Sequence, residues 1–423
     1  MSFAYKTGQL TLNTSLGNQE IDSGTGLEGK AIRFTTSGQT AEGTAAETMG
    51  SIGIAAVDDS ANMTQAAVKW ASNDAANPNV SNMRYTTDRI LFGEPPGSLN
   101  EEASFVSFGT GGNAGKFTIN IDRAGSALLV YYEIWCGDDI TADVVAYAAP
   151  TTGGERDDLG TLLGGDNIPE FAYSFGYFRT SAGVGSNASC WQGCSLSDAK
   201  RWAIAWGADD GATATESVKH YHTDLKAIAG LNVSPALDFE ADFVSWEVGG
   251  RKLNWTDAAA AAVLYSTLYI KGGKIDVGDF AAPTAGGVPQ DQPITTAVAL
   301  DGISLHSAGN ATAMATLGDE WGCMIGGGAN PAAAQESVMM TKGQNTMSTD
   351  ENGTNASTKC IRIIDPAVTA EADYKEQGGT SFTVTWTTID ATDAYKIFWF
   401  GVGPSAAPPA PTALPAGAIA GVA

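Results

Sequence analysis

Short runs of alternating apolar and polar residues recur along this chain, separated by clusters of Gly, Asn, Asp and Pro. One of them, EADFVSWEVGG (240–250), has close counterparts in EASFVSFGTGG (102–112) and EADYKEQGG (371–379). With Ala103, Ala241 and Ala372 as anchors, the spacings are 138 and 131 residues. If that spacing is a repeat, other segments must line up at similar offsets, and they do. Upstream of each anchor lies a basic-apolar run: TTDRILFG (86–93), HTDLKAIAG (222–230), STKCIRIID (357–365). Before it come QAAVKWAS (65–72), KRWAIAWG (200–207) and ESVMMTKG (336–343), and before those GSIGIAAV (50–57), CWQGCSLS (190–197) and EWGCMIGG (320–327). The earliest are AIRFTTSG (31–38), AYSFGYFRTSAG (172–183) and GISLHSAG (302–309). After the glycine turn follow KFTINID, KLNWTD and FTVTWTT, then the aromatic runs ALLVYYEIW (127–135), AVLYSTLYI (262–270) and AYKIFWFGV (394–402).

Seven segments in one order, three times over, define three tandem units at 1–136, 137–273 and 274–403. The segments are four to eight residues long, alternate, and are rich in Val, Ile, Phe, Tyr, Trp and Thr. That pattern predicts an all-β chain of three homologous antiparallel β-sandwiches, jelly-roll-like, with seven or eight strands each. FVSW, then GG, then KLNW reads as a hairpin whose glycines supply positive φ. Each unit has the size of an ordinary domain, so the expectation is three beads with separate cores. Residues 404–423, PSAAPPAPTALPAGAIAGVA, have the composition of an arm that cannot fold alone. Pro404, Pro408, Pro409, Pro411 and Pro415 are its candidate assembly contacts, since extended Pro-rich segments lie in grooves.

Composition narrows the partners. The chain of 423 residues carries 23 Lys and Arg against 47 Asp and Glu, a formal charge of -24. Phosphate binding needs a cationic footprint, so nucleic acid is excluded as a partner, and anionic membranes are disfavoured. No run approaches the length of a membrane-crossing helix, and MSFAYKTGQLTLNTSLG lacks the basic and apolar regions of a secretory leader. Synthesis in a cytoplasm is expected. Five cysteines, unevenly spread, do not form a disulfide framework. Cys194 lines up with Cys323 beside a glycine, which predicts a small buried core position.

Candidate chemistry is sparse. His220 and His222 in HYH share one face of a strand at a spacing that can chelate a metal. The aligned positions elsewhere are not histidine, and zinc sites want three or four ligands, so surface residues are expected. Glu102, Glu240 and Glu371 repeat in register, which favours a fixed local hydrogen bond or surface charge over a catalytic acid. Acidic doublets such as Asp58-Asp59, Asp157-Asp158 and Asp209-Asp210 lack EF-hand spacing, and solvated loop charge outweighs calcium. Most tryptophans fall in repeated strands, where packing in a core is the default. No cofactor is expected.

With its repeated phrases EASFVSF, EADFVSW and EADYKEQ and their aromatic closing strands, the chain resembles the β-sandwich virion proteins of tailed bacteriophages: head decoration proteins, head fibres and tail-associated adhesins. The resemblance spans 1–403 at the level of pattern. It implies a non-enzymatic part of a virion, with capsid or tail proteins and copies of itself as partners. Three similar units in one chain mimic a trimer, which suits a site of threefold symmetry. A host-surface glycan-binding adhesin is the alternative reading, and a polysaccharide depolymerase the third.

Overall fold

The computed structural model describes residues 2–46, 48–58, 60–72, 80–93, 101–160, 167–211, 217–309, 313–329, 336–343, 352–365 and 367–404. These residues form thirty-three strands, eleven for each repeat, and one short 3-10 turn at Gly111–Asn113. The first repeat holds β1 (Ala4–Thr11), β2 (Gly17–Asp22), β3 (Gly29–Thr36), β4 (Gly43–Ala46), β5 (Thr48–Val57) and β6 (Met63–Ser72). It continues with β7 (Ser81–Thr86), β8 (Leu91–Gly93), β9 (Glu101–Phe108), β10 (Lys116–Arg123) and β11 (Leu129–Cys136). Strands β12–β22 (141–271) and β23–β33 (274–403) repeat this order.

Each unit is an antiparallel sandwich of a seven-stranded and a four-stranded sheet. In unit 1 the small sheet runs β2-β10-β9-β8, and the large sheet begins β1-β11-β3-β5-β6-β7. The ribbons β1·β11 and β2·β10 lie in opposite sheets, which gives the jelly-roll-like wrap. The repeated phrase is β9. Its pairing with β10 shifts register twice: Asp122 of β10 is the extra residue opposite Glu102 and Ala103, and Val106 of β9 is the extra residue between Phe105 and Ser107. The same two irregularities recur at Glu240/Ala241 and Phe243/Ser245, and at Glu371/Ala372 and Tyr374/Glu376. Bulges sharpen twist and bend a strand across its partner sheet, so the phrase is conserved between the copies as a bend.

The seventh strand of each large sheet belongs to another unit. Strand β15 (Gly183–Ser186) of unit 2 pairs with β7 of unit 1. Strand β26 (Gly318–Asp319) of unit 3 pairs with β18 (Val218–Thr223) of unit 2. Strand β4 of unit 1 pairs with β29 (Asn352–Ala356) of unit 3, with Gly43 opposite Asn355 and Ala46 opposite Asn352. Unit 2 thus donates to unit 1, unit 3 to unit 2, and unit 1 to unit 3. The exchange is cyclic and closes within one chain.

Burial follows from this closure. One face of each large sheet packs on its own small sheet, as Ile32, Phe34, Ala103, Phe105 and Ile119 do in unit 1. The other face turns inward to a cluster drawing on all three units, with Ile52, Trp70, Tyr173, Trp206, Ile325 and Phe400 among its members. The expectation of beads with separate cores is corrected here, because the largest core is shared. The large-sheet strands are therefore buried on both sides: β14 (Phe171–Tyr177) is buried at every position, whereas β10 alternates. A glycine in the middle of the third large-sheet strand makes the close approach possible. An added Cβ on Gly53, Gly193 or Gly326 would fall 1.7, 2.4 or 2.0 Å from the carbonyl oxygen of Ile90, Ala227 or Cys360. The free edge strands of the small sheets carry charge or proline, as in GNQEID, GERDDL and QDQPIT, which discourages sheet extension.

Candidate functional site

Equivalent side chains from the three units meet on one axis. Pairing register makes Trp70, Trp206 and Thr341 counterparts, since each lies three residues beyond the partner of the repeated glycine. The Trp70 and Trp206 rings stand edge to face at 4.9 Å, and Trp70 Nε1 donates to Thr341 Oγ1 at 3.0 Å. A second triplet is Arg33, Tyr173 and Ser304, opposite Ile54, Cys194 and Gly327 on the next strand. The Arg33 guanidinium lies over the Tyr173 ring at 5.0 Å and donates to Ser304 Oγ at 2.5 Å. The molecule is a covalent pseudo-trimer.

Around Arg33 a polar network is sealed from solvent. Arg33 Nη2 donates to Glu133 Oε1 at 2.7 Å, with the two side chains 1% and 7% exposed. Arg33 Nη1 approaches His306 Nε2 at 3.3 Å, so that nitrogen is the acceptor and Nδ1 carries the proton. His306 Nδ1 then donates to Gln192 Oε1 at 2.9 Å, and the Tyr173 hydroxyl donates to the same oxygen at 2.8 Å. Burial pushes the Glu133 carboxyl upward, opposed by Arg33, Tyr5 and Ser304. Burial, then Arg33, holds His306 well below the ordinary histidine range. Members of all three units bond to one another, with Arg33 Nε and Glu133 Oε2 left over, so the network is a fastening across the axis.

The seams between units repeat as well. Thr64 Oγ1 donates to Asp143 Oδ1 at 3.0 Å between units 1 and 2. Lys200 and Asp276, at the equivalent places, form an ion pair between units 2 and 3. The chain's entry and exits gather at one end of the ring. Ala4 pairs with Cys136, Asp139 N reaches Ser2 O at 3.4 Å, and Lys274 pairs with Gly403. The C-terminal arm therefore leaves beside both inter-unit linkers. Pro404 is exposed there; Pro408, Pro409, Pro411 and Pro415 lie outside the described residues.

The histidine expectation is corrected. His220 and His222 are 0% and 1% exposed, not surface residues, and their rings stack at 5.7 Å. They share a face, as the spacing indicated, but that face looks into the shared core, and His222 meets Phe398 of unit 3 at 5.8 Å. Among the described residues, no group of three His, Cys, Asp or Glu could hold a metal. All five cysteines are buried and free. Register pairs Cys190 with Trp206 and Cys323 with Thr341, so Cys323 corresponds to Cys190 rather than to Cys194. Gly326, not Gly322, is the counterpart of Gly193.

The repeated carboxylates have fixed partners: Glu102 pairs with Arg84 at 2.6 Å, Glu240 accepts from Tyr221 at 2.5 Å, and Glu371 pairs with Arg362 at 2.6 Å. Asp58 accepts the Ser60 and Asn62 amides, and Asp158 accepts the Tyr265 hydroxyl at 2.6 Å. Open clefts remain. One, of about 390 Å³, lies where the donated segment leaves unit 1, beside Gln39, Glu42, Met49 and Ser126. Another, of about 630 Å³, lies on unit 3 between Asp291, Glu336, Asp373 and Lys375.

No family model matches this chain, and no curated protein matches it. One solved chain, from the triple jelly roll fold and turret assembly of an archaeal virus, aligns over 95% of this chain and 89% of its own. The identity is 10% and the TM-score 0.15. The ring rests on its own hydrogen bonds and side-chain contacts.

Proposed function

We propose that the protein is a non-enzymatic structural component of a virion, a capsid decoration, fibre or tail-associated part. In this reading it fills a lattice site of threefold or pseudo-threefold symmetry. The cyclic strand exchange, with Trp70, Trp206 and Thr341 meeting on its axis, is the observation that supports this reading. A closed ring presents three related faces to a partner of matching symmetry, which a linear array of beads does not. The gathering of Ser2, both linkers and Gly403 at one end makes that end the lattice-facing side, with the arm from Pro404 onward as the tether to capsid or tail proteins and to neighbouring copies. The small sheets then face outward. The protein is made in the host cytoplasm and resides in the particle.

The test is copurification. Particles are isolated on a density gradient, and a fixed copy number of this protein per particle is expected, with loss of attachment when residues 404–423 are deleted. A protein that stays off the particles and binds host glycans is an adhesin. Turnover of a polysaccharide by the purified chain would replace both readings with a depolymerase.

A further inference from the structure

The three seams share one strand exchange, and the seam between units 2 and 3 sets two histidines beside the donated strand. The segment donated by unit 3 lies along the whole of β18. Ala315 N donates to His222 O at 2.8 Å, His220 pairs with Gly318, and Lys219 pairs with Asp319. Glu320 N donates to Val218 O at 3.0 Å, and His220 Nδ1 donates to Glu320 O at 2.6 Å. The His220 imidazole is thus tied to this segment, and the His222 ring stacks on it from the same face. In unit 1 the positions of His220 and His222 are held by Met83 and Tyr85, and in unit 3 by Gly353 and Asn355. One seam of three is built over groups that titrate near neutrality.

We propose that the seam between units 2 and 3 is an acid-released latch: protonation of His220 and His222 frees the donated segment 315–320 from β18 while the other two seams stay closed. Stacked rings at 5.7 Å cannot both carry a proton cheaply in a core. Of the surrounding charges, Asp319 favours a protonated His220 and Lys342 opposes it. Lys342, only 3% exposed, pairs with Glu320 at 3.2 Å and adds a positive charge facing His220. Lys219 neutralises Asp319 on the donated strand. Tyr221 on the same strand faces the other way, toward Glu240, and the ring nearest His222 across the seam is Phe398. His306 belongs to the axial network beside Arg33 and stays out of the latch.

The sign follows from burial. Desolvation lowers the His220 pKa from its ordinary value, with the carbonyl of Glu320 opposing and Lys342 assisting. A base whose folded pKa is depressed contributes stability that is complete above the unfolded value near 6.5, and that is lost as pH falls below it. The raised carboxyls of Asp143 and Glu336, outside this seam, work in the opposite sense. At pH 5 the released state gains about thirtyfold in population for each histidine that protonates only when free.

Hydrogen exchange read by mass spectrometry, corrected for intrinsic pH dependence, tests this on the full chain at pH 7 and pH 5. Peptides covering 217–223 and 315–322 are expected to open more at pH 5 than at pH 7, by up to about 25-fold for each histidine that protonates only when free. Peptides covering 81–86 with 183–186, and 43–46 with 352–356, are expected to stay protected. Installing the residues of unit 1, His220→Met with His222→Tyr, abolishes the difference. Equal opening of all three seams in the unmodified protein overturns the proposal whether or not that variant folds. So does a folded variant that still opens at pH 5.

Discussion

Glu133→Leu probes the axial fastening most sharply. Glu133 faces Arg33 at 2.7 Å with neither group appreciably in contact with solvent. At the same register position unit 2 carries Leu268 and unit 3 carries Phe400, so leucine suits that backbone. The single change strands a guanidinium that is 1% exposed, leaving it Ser304, His306 and the faces of Tyr173 and Phe400. Breaking a buried pair from one side costs about 3–5 kcal/mol, whereas replacing both members with apolar groups is neutral or stabilising. Arg33→Met with Glu133→Leu should therefore return to within about 1 kcal/mol of the parent, because Ser304, His306 and Gln192 still satisfy one another. Urea unfolding followed by tryptophan fluorescence reads both variants, as a shift of midpoint at unchanged slope. A loss below about 1 kcal/mol for Glu133→Leu, or a double variant as damaged as the single, would refute the fastening.

Other consequences can be measured the same way. Trp70→Ala removes an indole wedged between Trp206 and Thr341 and should cost about 3–5 kcal/mol in the unfolding midpoint analysis. Gly193→Ala drives a methyl to 2.4 Å from the Ala227 carbonyl oxygen, and a loss of about 1–3 kcal/mol is expected by thermal denaturation. Burial raises the half-buried Glu336 to about 7, opposed by the Tyr374 amide it accepts at 2.7 Å. Its folded pKa lies above the unfolded one, so its contribution is present below pH 4.5 and lost as pH rises through 7. Gln65 already fills the equivalent place in unit 1 and accepts the Phe105 amide at 2.8 Å. Glu336→Gln should then gain about 1–2 kcal/mol at pH 8, after discount for partial exposure, and nearly nothing at pH 4.

The repeat, the small sheets and the hairpin at each glycine turn were legible because those strands alternate and end in turn residues. Strands buried on both faces do not alternate. FAYSFGY, CWQGCSLS and RWAIAWGA carry no polar face, and that is the mark of a second packing surface behind each large sheet. Arg33 inside AIRFTT and Glu133 inside LVYYEIW were further signals, since a charge in an otherwise apolar run needs a buried partner. The donated strands were out of reach. GTAA, GVGS and GD are too short and too poor in apolar residues to announce themselves, and only pairing register identifies their hosts. The histidines were misplaced for the same cause: their cover comes from a segment about a hundred residues away.

Closure of the ring within one chain is the central claim, and its last link is β4 on β29. Thr44 and Thr354 are register partners there, with hydroxyl oxygens 3.3 Å apart, a geometry within reach of a disulfide. Under mild oxidation, Thr44→Cys with Thr354→Cys should cross-link quantitatively inside the monomer. On a non-reducing gel, closing that long loop gives a faster-migrating band that reverts on reduction. Cross-linked dimers, or no cross-link while the protein stays folded, would contradict the closed ring.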